Sequence, residues 1–283
     1  MAAIDLNCDM GESYGAYTMG QDEKILDYVS SVNIACGFHA GDPMVMARTV
    51  RMAVEKGVAI GAHPGFPDLM GFGRRNMQIS LEEARNYMLY QIGALAAFVR
   101  AAGGRLRHVK PHGALYNMAA ADITLATALA KAVYDYDRNL IFVGLANSEM
   151  IRAAEAMGLA VAQEVFADRA YEEDGSLVSR TKAGAVIHDE EVSLGRVRDF
   201  VEKNRVVAIT GKEIALRPDT ICLHGDNEQA LLFAKKIRAM LEEAGLSASI
   251  AGEFRRGEFA EQEDRIFIRP TPPPAEDEAA PSE

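Results

Sequence analysis

The sequence has few cysteines, no long apolar run and no excess of basic residues. Its three cysteines, Cys8, Cys36 and Cys222, lie far apart, so they are typical of buried free thiols rather than of a disulfide framework or a zinc-thiolate site. No stretch approaches the roughly 18 apolar residues of a membrane span, and the first residues do not resemble a signal peptide. The net charge of -11 argues against a nucleic-acid surface. We therefore expect a cytoplasmic protein that binds neither nucleic acid nor membrane.

The pattern of apolar residues predicts an α/β fold. Hydrophobic residues make up 49% of the 283 residues, which is enough for a large core. Short apolar runs without alternation are separated by helix-period segments, as in a parallel sheet that is buried on both faces. The runs are 4–8, 31–37, 58–63, 107–113, 139–146, 158–168, 205–209 and 220–226. Periodicity does not separate a closed barrel from an open sheet, but seven or eight units without a break in composition favour the barrel.

Start signals mark three helices, and two regions depart from the βα plan. Asp42 followed by Pro43, the Ser80-to-Glu83 capping box and Asp226 each precede a helix-period segment. The polar connection 169–187 is long enough for a lid or a binding loop. Beyond residue 252 the chain becomes charged and rich in proline. We therefore predict a barrel domain at 1–252 and a largely disordered extension at 253–283.

Unusual polar residues stand at the carboxyl ends of the strand-like runs, where parallel α/β folds bind their ligands. Four of the six histidines are among them, each followed closely by Gly or Pro. A single such histidine is best explained as a core or turn residue, but four together favour a functional site. The set is Asp9, Glu12, His39, His63, Lys110, His112, Asp168, Arg169, His224 and Asp226.

These residue types permit acid–base chemistry or metal binding. Imidazole titrates near neutrality, and its neutral ring nitrogen binds metals. Asp9 could be a general base, could orient a histidine, or could join Glu12, His39 and His63 in a mixed oxygen and nitrogen metal site. No HExxH-type spacing supports the metal, so metal ligation stays open. Asp42 and Asp226 are explained as readily by helix capping as by function.

A phosphate site is only weakly marked. The sequence has no GxxxxGK[ST] loop, which argues against a Walker-type nucleotide site. Cations at strand ends or in loops include Lys110, Arg169 and Arg180. For Arg74 and Arg75 in GFGRR and for Lys182, a solvated surface is an equally good explanation.

Seven motifs in one order resemble the LamB/YcsF family over about residues 4–252. They are DLNCDMGESYG (5–15), NIACGFHAGDP (33–43), GAHPGFPDLMGFGRR (61–75), VKPHGALYN (109–117), EVFADRAY (164–171), GSLVSR (175–180) and LHGDN (223–227). The resemblance implies an irregular, seven-stranded (β/α) barrel similar to the polysaccharide-deacetylase and family 38 glycosidase folds. It also implies hydrolysis of 5-oxo-L-proline to L-glutamate coupled to ATP hydrolysis, with Mg2+ accompanying the nucleotide and with 5-oxoprolinase subunits B and C as partners.

On this resemblance, residue roles can be assigned as expectations. Asp9 and His63 would act as base or orienting groups, and Lys110 and Arg169 would stabilise charge. Proton transfer or lactam binding would fall to His39, His112 and His224. Substrate or phosphate binding would involve Glu12, Asp168, Arg169 and Arg180. Two alternatives remain: a metal-dependent amidohydrolase or deacetylase that acts alone, and a noncatalytic binding subunit of the complex.

Overall fold

Parallel strands wrapped by helices form the body of the protein, which is seen in a computed structural model that describes residues 4–20, 22–223 and 228–246. The strands of this part of the chain are β1 (Asp5–Met10), β2 (Ser31–Ala35), β3 (Ala59–His63), β4 (Leu106–Val109), β5 (Ile141–Leu145), β6 (Ala160–Phe166), β7 (Arg205–Val207), β8 (Glu213–Ala215) and β9 (Thr220–Leu223). Its α-helices are α1 (Asp22–Ile25), α2 (Pro43–Lys56), α3 (Leu81–Ala101), α4 (Gly113–Ala121), α5 (Ile123–Asp137), α6 (Glu149–Ala156), α7 (Glu190–Lys203) and α8 (Glu228–Glu243).

Seven of these strands close a barrel. β1 to β6 follow chain order, and β9 completes the ring by pairing in parallel with both β6 and β1. Thr220 of β9 stands opposite Asp5 on one side and Glu164 on the other. The register shifts between β3 and β4, which makes the barrel irregular. The predicted seven-stranded (β/α) barrel is confirmed.

The prediction that 205–209 is another strand of the parallel set is wrong. Arg205–Val207 forms β7, which pairs antiparallel with β8 in a separate two-stranded sheet outside the barrel. Only residues 208–212 connect the two strands, whereas a parallel partner needs a crossover of about a dozen residues or more. β9 takes the next place in the barrel instead.

Two of the predicted helix starts are confirmed by their caps. The Asp42 carboxylate accepts hydrogen bonds from the backbone N–H groups of Met44 (2.8 Å) and Val45 (2.9 Å). It also accepts one from Gly15 (2.9 Å), which ties the loop after β1 to the start of α2. Ser80 and Glu83 form the predicted capping box of α3. The third signal, Asp226, lies outside the described residues.

The long connection 169–187 contains no helix and packs on itself. Isolated bridges join Arg169 to Val186 and Tyr171 to Leu177. Within it, Ala170, Val178 and Ala185 form a small buried cluster. Its action as a lid stays a prediction, and the predicted extension 253–283 lies outside the described residues.

Polar side chains fill part of the barrel interior. Asn7 and Glu164 lie on β1 and β6, which are not neighbours, yet the Asn7 amide donates to Glu164 Oε1 at 3.0 Å. Both side chains must therefore face inward. Because side chains alternate along a strand, Asp5 and Asp9 share the face of Asn7, and Leu6 and Cys8 face the surrounding helices.

The three cysteines are free and buried, as predicted. Burial raises the pKa of the Cys36 thiol to about 12. In the described part of the chain, no helix combines the length and the apolar character needed to cross a membrane.

Gly61 of β3 offers a test of interior packing. A Cβ atom at this position would collide with the ring of His108, which is fully buried in β4. Gly61→Ala should therefore lower the free energy of unfolding by about 1–3 kcal/mol through overpacking. Urea denaturation followed by circular dichroism measures the change.

Gly195→Ala is the matched control. This glycine is exposed in α7 and has open space at its Cβ position, so alanine should be neutral or stabilising by up to about 1 kcal/mol as the better helix former. Equal stability of the two variants would contradict the packing of His108 against β3.

Candidate active site

Six of the predicted site residues lie together at one end of the barrel. Each is at or just after the carboxyl end of one of the first four strands, and these strands are neighbours in the barrel. They are Asp9, Glu12, His39, His63, Lys110 and His112. Since the carboxyl ends of parallel strands meet at the same end of a barrel, separate segments of the chain supply one site.

Lys110 is buried between two carboxylates. Its Nζ lies 3.0 Å from Asp9 Oδ1 and 2.7 Å from Glu164 Oε1, and the Lys110 side chain is only 3% exposed. Burial opposes the charge of Lys110, but the charges of Asp9 and Glu164 keep its pKa well above the ordinary value. Lys110 is therefore a fixed cation that holds Asp9 in place.

A network of amide and imidazole groups supports this pair. The Asn33 Nδ2 group donates to Asn7 Oδ1 at 2.8 Å and to Asp9 Oδ1 at 2.9 Å. Asn33 Oδ1 lies 2.8 Å from His108 Nε2, so that ring nitrogen carries the proton. Burial, reinforced by the charge of Lys110, lowers the pKa of His108 to about 3. His108 is thus a neutral donor.

Glu164 anchors the other side of the network. Its Oε1 accepts from Asn7 and contacts Lys110, and its Oε2 accepts from the Tyr116 hydroxyl at 2.8 Å. Both oxygens of this fully buried carboxylate therefore have donors. The predicted site residues do not include Glu164, Asn7, Asn33, Tyr116 or His108. For all of these except Tyr116, the sequence does carry one signal of an interior polar network, which is a polar residue inside an otherwise apolar strand-like run.

Three histidine rings pack against one another beside Asp9. The rings of His39 and His112 stack in parallel, with centroids 3.7 Å apart and an interplanar angle of 5°. The ring of His63 is nearly perpendicular to both. His63 Nε2 lies 2.9 Å from His112 Nδ1 and 3.3 Å from Asp9 Oδ2. Glu12 Oε1 lies 3.5 Å from His39 Nε2 and 3.8 Å from His112 Nδ1.

Backbone carbonyls determine the tautomers of two of these rings. His63 Nδ1 lies 2.7 Å from the Lys110 carbonyl oxygen, and His112 Nε2 lies 2.8 Å from that of Phe72. A carbonyl oxygen only accepts, so both of these nitrogens carry protons. In the neutral rings the remaining nitrogens, His63 Nε2 and His112 Nδ1, present lone pairs to each other.

The surroundings favour neutral imidazoles at His39 and His112. Burial lowers the pKa of both side chains well below the ordinary value, and the neighbouring histidines lower it further. Carboxylates oppose this effect, Asp9 at both rings and Glu12 at His112. These two rings are therefore neutral at neutral pH, and each keeps a ring nitrogen with a lone pair that can bind a cation.

Glycines let the backbone approach the rings closely. A Cβ atom at Gly73 would lie 2.7 Å from His39 Cβ and 2.9 Å from His112 Cδ2, and one at Gly65 would lie 2.7 Å from His39 Nδ1. Gly73 also has a φ of +62°, a left-handed conformation that glycine adopts readily. The segment after β3 thus wraps the histidines, which explains the glycines of GAHPGFPDLMGFGRR.

The cluster has the donor atoms of a metal site. One ligand atom from each of Glu12, His39, His63 and His112 lies within 4.8 Å of the others. A carboxylate with imidazoles is a donor set that suits zinc and similar ions. The ligands come from separate strand ends, which is why no local spacing marks them in the sequence.

The predicted arginines lie in the loop 169–187. The buried Arg169 guanidinium donates to the carbonyl oxygens of Val178 (2.7 Å) and Ala185 (3.3 Å). Burial, together with the nearby charges of Arg180 and Arg74 and against the effect of Asp168, lowers its pKa to about 10. Arg180 and Arg74 are both exposed.

The remaining candidates have simpler surroundings. Lys182 pairs with Glu172 and Arg75 pairs with Asp68, which fits their interpretation as surface charges. His224 lies outside the described residues, so its place relative to the cluster stays a prediction.

Comparison with known proteins places this chain in a family. The model of the LamB/YcsF family matches residues 4–256. A protein of Clostridium beijerinckii, named as the A subunit of 5-oxoprolinase, is 57% identical over 246 residues, which cover 87% of this chain and 96% of the relative. A Campylobacter jejuni protein of the same name is 60% identical over 242 residues, covering 86% and 95%.

A solved structure extends the likeness to three dimensions. The crystal structure of a lactam utilization protein from Thermus thermophilus matches with a TM-score of 0.81 and 46% sequence identity. The match covers 87% of this chain and 99% of the other.

The buried ion pairs of Lys110 lead to a stability prediction. Lys110→Met leaves Asp9 and Glu164 without their shared cation, so the free energy of unfolding should fall by about 3–5 kcal/mol. Adding Glu164→Gln should restore part of the loss, because one of the two uncompensated carboxylates is then neutral. Urea denaturation of the wild type, both single variants and the double variant gives the coupling.

Lys182→Met is the control, since its ion pair with Glu172 is exposed and the change should lie within about 0.5 kcal/mol. Additive effects of Lys110→Met and Glu164→Gln would contradict the buried pairing.

Proposed function

This chain belongs to the LamB/YcsF family, and we propose that it is the A subunit of an ATP-dependent 5-oxoprolinase. The complex would hydrolyse 5-oxo-L-proline to L-glutamate together with subunits B and C. The observation that carries the proposal is the convergence of Asp9 and three buried histidines at the barrel end, in a chain 57–60% identical to proteins named for this subunit. Its free buried thiols and its use of ATP fit the cytoplasm.

The chemistry explains why ATP is needed. A five-membered lactam is a poor electrophile, and its closure is favourable. Transfer of the γ-phosphoryl group of Mg-ATP to the lactam oxygen would make the ring carbon reactive and release ADP. Water then adds to that carbon, the C–N bond breaks and the nitrogen takes up a proton. A second water hydrolyses the remaining acyl phosphate to the side-chain carboxylate and phosphate.

The site contains groups suited to the water-dependent steps. Asp9 Oδ2 and His63 Nε2, which lie 3.3 Å apart, would accept the proton of the attacking water. His39 and His112 would bind the lactam or return a proton to its nitrogen, and His224 is proposed for the same task. Lys110 would act through Asp9 as a positioning residue.

The rim of the site would bind the anionic parts of the substrate. Arg169 and Arg180, with Arg74 nearby, would face the substrate carboxylate or the transferred phosphoryl group. Asp168 and Glu12 would orient these groups and the histidines. No Walker-type loop is present in the sequence, so the proposal does not require this subunit to hold the nucleotide alone.

A second candidate function is a metal-dependent amidohydrolase that acts alone. The observation that favours it is the close group of Glu12, His39, His63 and His112. It differs from the first in needing no ATP and no partner. A noncatalytic role in the complex would leave the buried histidine cluster without a purpose.

The test is glutamate formation from 5-oxo-L-proline and Mg-ATP by this protein alone and in a mixture with its B and C subunits. Turnover should occur only in the complete mixture with ATP. His63→Ala should lower that turnover by about 100-fold or more, because a proton-transfer group next to Asp9 is lost.

His188→Ala, a change at an exposed histidine, should leave turnover unchanged. Thermal denaturation of each variant shows that the loss is not one of folding. Turnover by this chain alone without ATP would favour the amidohydrolase, and full activity of His63→Ala in the mixture would contradict the assigned site.

A further inference from the structure

Two imidazole nitrogens in the candidate active site face each other at a distance that a bound cation would explain. His63 Nε2 and His112 Nδ1 lie 2.9 Å apart, and the opposite nitrogen of each ring donates to a backbone carbonyl. With both rings neutral, two lone pairs meet at hydrogen-bond distance with no proton between them. Donation of the outward N–H to a carbonyl is also the arrangement that orients metal-binding histidines in proteins.

The surrounding oxygen atoms favour a metal ion over a shared proton. Glu12 Oε1 is 3.8 Å from His112 Nδ1, and Asp9 Oδ2 is 3.3 Å from His63 Nε2. A proton shared between the rings would pair only the two nitrogens, whereas a metal ion would also be coordinated by the Glu12 carboxylate. Two nitrogens bound to one ion at about 2.1 Å lie about 3.4 Å apart at the tetrahedral angle, so the rings need to separate by only about 0.5 Å from the observed 2.9 Å to admit the ion.

The stacking of His39 on His112 decides which residues can be ligands. A metal lies near the plane of the imidazole that binds it. The two rings are parallel and stacked, with centroids 3.7 Å apart, so one ion cannot lie in both planes at a bonding distance of about 2.1 Å. His39 Nε2 faces Glu12 Oε1 at 3.5 Å, where it can orient that carboxylate from outside.

We propose that Glu12, His63 and His112 form a binding site for one divalent transition-metal ion of the zinc class. His39 orients Glu12, and Asp9 borders the position left open for water. Imidazole ligands favour ions such as Zn2+ or Co2+ over Mg2+, so this ion is distinct from the Mg2+ that accompanies ATP. The proposal that a metal ion binds here rests on this geometry and does not depend on the proposed function.

The use of the ion in catalysis rests on the proposed function. A bound ion lowers the pKa of its water and so supplies hydroxide near neutral pH. With the ion bound, His63 Nε2 is a ligand and no longer a base, so the proton of that water would pass to Asp9 alone while the oxygen bonds to the activated lactam carbon. The C–N bond then breaks, and the nitrogen takes the proton.

The test measures metal binding by the full chain. Protein stripped with a transition-metal chelator is dialysed against Zn2+ or Co2+, and bound metal is counted by elemental analysis. One ion per chain is expected, with visible absorption bands for Co2+ that report nitrogen and oxygen ligation. His63→Gln, His112→Gln and Glu12→Gln should each lose at least about 10-fold in affinity.

Two further variants separate the roles. His39→Gln should weaken binding but keep one ion per chain with a shifted Co2+ spectrum, as expected of an orienting residue. His188→Gln, the same change at an exposed histidine, should bind like the wild type. Zn2+ should raise the melting temperature of the wild type and of His188→Gln but not that of His112→Gln. That readout does not depend on activity.

The outcomes distinguish this inference from the proposed function. A wild-type chain that binds neither Zn2+ nor Co2+, or binding unchanged by all three ligand substitutions, would overturn the site and leave a shared proton between the rings. If the chain binds one ion but the complete mixture forms no glutamate, the proposed function is contradicted and the metal site is not. Full turnover of a metal-stripped complex with Mg-ATP would overturn the catalytic use of the ion.

Discussion

A single ammonium group buried in the barrel determines how the rest of the site is built. Lys110 Nζ lies between Asp9 and Glu164, and none of the three side chains is more than 14% exposed. Burying each charge costs several kcal/mol, which only close pairing and complete hydrogen bonding offset. Asn7, Asn33 and Tyr116 supply those hydrogen bonds. This is why polar side chains replace the branched aliphatic layers that usually fill such barrels.

The same pairing fixes the orientation of the Asp9 carboxylate. Its Oδ1 is engaged by Lys110 and Asn33, and its Oδ2 is turned toward His63 Nε2. His63 in turn meets His112, whose far nitrogen donates to the Phe72 carbonyl. A continuous chain of side-chain contacts thus runs from Lys110 in the barrel interior to the segment after β3. A shift of Lys110 would therefore move every ring, so the groups that stabilise the barrel interior are also those to which the proposed chemistry is assigned.

Much of the framework could be predicted from sequence, because it depends on local patterns. Apolar runs gave the barrel strands, and the Asp42 and Ser80 caps gave two helix starts. The strand at 205–209 was misassigned because an apolar run does not reveal its partner, and here the partner is the short β8. The partners of Lys110 were missed for a related reason. Asn7 and Glu164 are 157 residues apart and meet only because the barrel closes. The only sign of these partners in the sequence was a polar residue within an apolar run.

The distribution of charge across the site fits one orientation of an anionic substrate. Asp9 and Glu12 lie beside the histidines, whereas the cations near Arg169 include the exposed Arg74 and Arg180. A carboxylate or phosphoryl group is repelled by the acidic side and attracted by the arginines. In the proposed function the lactam carbon would then point toward Asp9 and His63, which would take up the proton of the attacking water. Arg169 itself is held by two carbonyl oxygens of its own loop, so the guanidinium is fixed in place before any ligand arrives. A guanidinium that is already fixed loses little conformational entropy when a ligand binds. In the proposed function the loop 169–187 would therefore serve as a rigid support for the anion-binding groups.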